Sequence, residues 1–89
     1  MLSIKEMNTF RRDVKRAAKR GKDLRKLQAI VVELMNERPL EPKYNDHPLH
    51  GNYKGARECH IEPDWLLIYI VKEHDLTLVR TGTHPDLFR

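Results

Sequence analysis

The 89-residue chain has one cysteine, Cys59, which excludes an internal disulfide and suits a reducing compartment. A lone cysteine in a strand is more readily a small buried hydrophobe than a catalytic thiol. No apolar run approaches the roughly 18 residues that a membrane-spanning helix needs. No leader-like apolar stretch follows Met1-Leu2-Ser3-Ile4-Lys5, so cytoplasmic residence is expected. Repeats, low-complexity segments and linkers are also missing. Residues 1–89 are therefore expected to form one domain with a single modest core.

What is present is charge, unevenly spread. Residues 1–43 carry 12 basic and 6 acidic side chains, whereas residues 44–89 carry 5 and 7. The excess concentrates in Arg11, Arg12, Lys15, Arg16, Lys19, Arg20, Lys22, Arg25 and Lys26. Such a field favours a polyanion or an acidic partner, or else marks a solvated helix face.

Alternation over Leu2, Ser3 and Ile4 predicts a short first strand. Asn8 then caps a helix with the stripe Met7, Phe10, Val14, Ala17 and Ala18, which Gly21 ends. Asp23 caps a second helix with the stripe Leu24, Leu27, Ile30, Val31, Leu34 and Met35, and Pro39 stops it. The short connection implies an antiparallel helical hairpin. Residues 39–52 read as a loop. Three strands follow, near Tyr53–Ile61, Trp65–Val71 and Leu76–Thr81, as an antiparallel meander in one sheet. The middle strand is apolar without alternation, as expected of one covered on both faces. The expected class is α+β.

All five histidines lie in the second half. Meander topology brings His60, Asp64, Trp65 and His84 to one end of the sheet and leaves His74 at the other. His47 and His50 precede the meander, and spacing alone leaves their place open. Imidazole is suited to moving protons near neutral pH. Two histidines of opposite protonation state, beside positive charge, supply what RNA phosphodiester cleavage needs without a metal. Arg57, Arg80 and Lys54 are candidate phosphate partners. Trp65, Phe88 and Tyr53 offer faces on which bases could stack, although core packing suits Trp65 better. Zinc is the competing use of His47, His50, Cys59, His60 and His84. However, the spacing matches no finger pattern, and adjacent Cys59 and His60 point to opposite faces of a strand.

Asp46-His47-Pro48-Leu49, the run Cys59 to Tyr69 and the run Thr81 to Phe88, in this order and spacing, resemble YafQ-type toxins of the RelE/ParE superfamily. Phe10 to Lys15 and the basic helix are similar too, so the likeness covers essentially the whole chain. The resemblance implies a RelE-like fold and a bacterial type II toxin–antitoxin system. It further implies a ribosome-dependent endoribonuclease that cuts mRNA without a metal or other cofactor, leaving a cyclic phosphate and a 5′-hydroxyl. The family's catalytic positions fall on His47, His60, Asp64 and His84, with Trp65 and Phe88 contributing. On this basis His84 is the expected acid, His47 the base, and His60 and Asp64 orient groups and substrate. His50 receives no role. The implied partners are a cognate antitoxin, through which operator DNA would be bound, together with ribosome and mRNA. A non-catalytic relative of the ParE branch, acting on a protein such as gyrase, is the alternative. The three histidines and the aspartate favour the nuclease.

Overall fold

Ten short elements build the protein, and a computed structural model describes residues 1–88. In chain order the main ones are β1 (Ser3–Glu6), α1 (Asn8–Lys19), α2 (Leu24–Met35), β2 (His47–Pro48), β3 (Arg57–Glu62), β4 (Trp65–Lys72), β5 (Asp75–Gly82) and α3 (His84–Phe88). Two single 3₁₀ turns, Pro42–Tyr44 and Gly51–Tyr53, flank β2. The strands form one sheet in the order β1-β5-β4-β3-β2. The meander β3-β4-β5 is antiparallel, and β1 joins β5 in parallel.

The helix ends follow local chemistry. Gly21, at φ 82°, closes α1: its N–H donates to Ala18 and that of Lys22 to Ala17, satisfying carbonyls that the helix end leaves free. Asp23 caps α2 by accepting from the Arg25 N–H at 3.1 Å. Two expectations about caps are corrected. Asn8 lies inside α1, and the N-cap is Met7, whose N–H donates instead to Leu78 on β5. Pro39 does not end α2. The helix stops at Met35, and Glu37 takes the left-handed conformation (φ 58°) and donates back to Leu34.

β4 is the central strand and is buried on both faces, which accounts for its lack of alternation. On one face Trp65, Leu67 and Tyr69 pack with Leu76 and Leu78 of β5 and with Phe10, Ala17, Leu27, Ile30 and Leu34 of the two helices. On the other, Leu66 and Ile68 pack with Ala56, Val79 and Leu87. Truncating a core leucine of this kind typically costs about 2–5 kcal/mol.

β1 covers β5 only as far as Leu78, so the rest of that edge needs other partners. α1 supplies them from one face: Thr9 Oγ1 donates to the Val79 carbonyl at 2.9 Å, and Asp13 accepts from the Thr81 N–H at 3.1 Å. Buried Asp13 also binds Arg80 through Nε (2.6 Å) and a terminal nitrogen (3.1 Å). The same carboxylate ends the sheet edge and neutralises a guanidinium.

Candidate active site

β3 is shorter than the spacing predicts, beginning at Arg57, and this decides where His47 lies. The segment carrying His47 is not a free loop crossing the sheet. It pairs as a fifth strand, with His47 opposite Glu58. Alternation along β3 puts Glu58 and His60 on the face away from α1 and α2, and Cys59 and Ile61 on the helix side. His60 pairs in register with Leu66, and a bulge follows before Glu62. Residues 63–64 turn the chain into β4, leaving Asp64 exposed at the tip.

His84 is the first residue of α3, which Thr83 alone separates from β5. Its backbone N–H donates to Asp64 Oδ1 at 3.1 Å, and its Nδ1 lies 2.8 Å from the same oxygen. These contacts, the backbone one first, hold the Asp64 carboxyl below the usual carboxylate range. An ionised carboxylate only accepts, so Nδ1 carries a hydrogen and Nε2 takes no part in the pair. The Asp64 side chain is 61% exposed, so the pair orients the ring more than it stabilises the fold.

The rings form a row. Centroids are 6.2 Å apart for His47 and His60, 5.8 Å for His60 and His84, and 6.3 Å for His84 and Phe88. Tyr53 meets Phe88 edge-on at 5.8 Å. Phe88 is half exposed. A groove of about 690 Å³ opens beside His60, lined among others by Lys26, Lys43, Tyr44 and Glu62.

Three candidates lie elsewhere. Trp65 is buried in the helix-side core, with its ring N–H donating to Thr81 Oγ1 at 2.9 Å and the Lys22 ammonium 5.7 Å from its ring centroid. It has no open face for a base. Arg57 alternates to the helix side, where it donates to Asp46 at 3.2 Å beside the Tyr69 hydroxyl, so it does not face the histidines. Cys59 is fully buried, and burial pushes its thiol up to about 12, which leaves it a neutral hydrophobe. Cys59 and His60 therefore cannot share an ion. Among the described residues no group of three or more His, Cys, Asp or Glu is arranged to hold a metal.

Arg80 pairs in register with Ile68 and so lies on the histidine side, but Asp13 takes its charge. Lys54 is exposed beside Tyr53, with no ion pair among the described residues. His50 is exposed ahead of the second 3₁₀ turn, and His74 is exposed in the β4–β5 turn at the far end.

Glu58 is the site residue that motif reading misses. It is buried, its Oε2 lies 3.0 Å from His47 Nε2 and 3.8 Å from His60 Nε2, and its Oε1 has no hydrogen-bond partner among the described residues. The signal was available: residues two apart on a strand share a face. A second omission is Asp86, which binds Arg20 at 2.6 Å and accepts from the Thr83 N–H at 2.9 Å, docking α3 on the end of α1.

Fold and site define a class: a small α+β domain with a row of histidines on one face of the sheet and a basic helical layer on the other. Residues 2–89 match the sequence model described as "Bacterial toxin of type II toxin-antitoxin system, YafQ". The chain is 46% identical over 86 residues to the mRNA interferase toxin YafQ of Escherichia coli K12, covering 96% of this chain and 94% of that one. A solved E. coli DinJ–YafQ complex is similar at 44% identity and a TM-score of 0.93, covering all of both chains. A metal-bound toxin from Helicobacter pylori is similar at 49% identity and a TM-score of 0.93, covering 99% of this chain and 100% of that one. The chain belongs to the YafQ family of type II toxins.

Proposed function

We propose that this protein is an endoribonuclease toxin that cleaves mRNA on the ribosome by metal-independent acid–base chemistry. The observation that carries this reading is the Asp64–His84 pair, whose imidazole adjoins that of His60 in the row of rings. One histidine of the His47–His60 pair takes the proton of a ribose 2′-hydroxyl, and the 2′-oxygen bonds to phosphorus. The bond from phosphorus to the 5′-oxygen breaks, and His84 Nε2–H protonates that leaving oxygen. The products are a 2′,3′-cyclic phosphate and a 5′-hydroxyl. Asp64 stabilises the His84 cation that donates, and Phe88, backed by Tyr53, offers a face for a base.

Residues 1–89 act as one domain in the cytoplasm on this reading, and a cognate antitoxin restrains them, as DinJ accompanies YafQ in the solved complex. Primer extension in a translation reaction provides the test. The expected products are mRNA breaks within translated regions only, with 5′ ends that polynucleotide kinase labels without prior phosphatase treatment. Breaks of equal rate in untranslated RNA, or 5′-phosphate ends, would overturn ribosome dependence or 2′-hydroxyl attack respectively.

A further inference from the structure

Glu58 is a carboxylate with a side chain only 6% exposed, and a buried charge must be compensated. Among the described residues no lysine or arginine lies within ion-pair distance of it. Its charged partners are His47 on β2 and His60 on its own strand. From β4, the residue opposite Glu58 is apolar Ile68. Compensation therefore falls to the two imidazoles.

The hydrogen bonds of His47 say which one. Its Nδ1 lies 2.7 Å from the carbonyl oxygen of Asn45, a residue in the left-handed conformation (φ 45°, ψ 52°). A carbonyl oxygen only accepts, so Nδ1 must carry a hydrogen. A neutral ring would then present the lone pair of Nε2 to Glu58 Oε2 at 3.0 Å, oxygen lone pair against nitrogen lone pair. A second proton between the two removes that repulsion and neutralises the buried carboxylate. His60 Nε2, at 3.8 Å, is beyond hydrogen-bond range of the same oxygen, and its ring keeps a free nitrogen.

We propose that Glu58 is a positioning residue that keeps the extra proton on His47, so that His47 serves as a cation beside the phosphate and His60 is the base. The inference deepens the ribonuclease reading and rests on it for the reaction step. His60 takes the 2′-hydroxyl proton, His84 gives one to the leaving 5′-oxygen, and the His47 proton stays in place. His47 thereby supplies the positive charge that Arg57, on the opposite face, does not. On this proposal the base is His60, where the family resemblance implied His47.

The test has a spectroscopic and a kinetic arm. Long-range ¹⁵N–¹H correlation spectra of the free protein at neutral pH should show both ring nitrogens of His47 protonated. In Glu58→Gln, which keeps the shape and removes the charge, His47 should become the neutral Nδ1–H form. Single-turnover cleavage by Glu58→Gln should fall roughly 10²-fold, the scale for loss of one transition-state charge partner, with KM little changed. Glu58→Asp should recover most of the rate. A wild-type His47 with one protonated nitrogen overturns the proposal, even if Glu58→Gln does not fold. An unchanged His47 spectrum or an unchanged rate in folded Glu58→Gln overturns it too. If no form of the protein cleaves RNA, the ribonuclease reading falls, while the spectra still decide whether Glu58 holds the proton.

Discussion

His84 and His74 flank β5, one at each end, and among the described residues only His84 of the two has a carboxylate partner. Replacing His84 by alanine should remove a proton-transfer group and slow single-turnover cleavage by about 10²–10⁴-fold. His74→Ala should stay within a few-fold in rate and about 0.5 kcal/mol in stability, since it alters an exposed turn. Equal losses in the two variants would contradict this assignment. Cys59 gives a second residue-level expectation. With its thiol buried and held at about 12, a disulfide reagent should label it only on unfolding, and rapid labelling of native protein would contradict the burial. The meeting of His60, Asp64 and His84 was legible because hairpin turns fix which strand ends are neighbours. The same topology put Trp65 at that end, and core packing, the better reading of its ring, is what the structure has. Glu58 was hidden because an isolated acidic residue in a strand resembles ordinary surface charge until its burial is known.

Among the elements, α1, α2 and the three long strands could be read from stripes, caps and turns. β2 and α3 could not, since two and five residues carry no detectable periodicity. Their positions depend on long-range contacts instead. α3 docks through Asp86, whose carboxyl is held well below its usual range, first by Arg20 and then by Thr83. A depressed carboxyl contributes stability above the unfolded value of about 3.9 and loses it as pH falls toward the folded value. Asp86→Asn should cost about 1.5–3 kcal/mol at neutral pH, the scale for hydrogen bonds to a charged group. In urea titrations the gap to wild type should close as pH drops below about 4; a gap that does not depend on pH would exclude the carboxylate as its source. Gly82 completes the joint. A Cβ there would lie 2.9 Å from Asp86 Oδ2 and 3.0 Å from its Cβ, so Gly82→Ala should shift α3, and His84 with it. Amide shifts confined elsewhere would count against this.

At the scale of the whole molecule, much of the basic excess is internally compensated. Lys22 and Lys26 bind Glu62, Arg16 and Arg20 bind Asp86, and Arg25 binds Asp23. Arg12, Lys15 and Lys19 on α1 are exposed, with no ion pair among the described residues, which leaves them for a polyanion. Ribosome affinity should fall with salt, with a log–log slope of about −0.7 to −0.9 per phosphate neutralised, and salt-independent binding would exclude this surface. The composition showed the charge, but not which cations were already matched, because some matching acids lie far away in sequence, as Asp86 does from Arg20 and Asp75 from Lys5. The parallel pairing of β1 with β5 has a consequence for biosynthesis. Ser3 is polymerised well before Asp75, its partner in the sheet, and Asp64 waits likewise for His84. No nascent chain that ends before β5 can close the sheet, and none that ends before His84 can join it to Asp64. A ribosome making this protein would thus carry an unassembled site until both β5 and His84 have been translated.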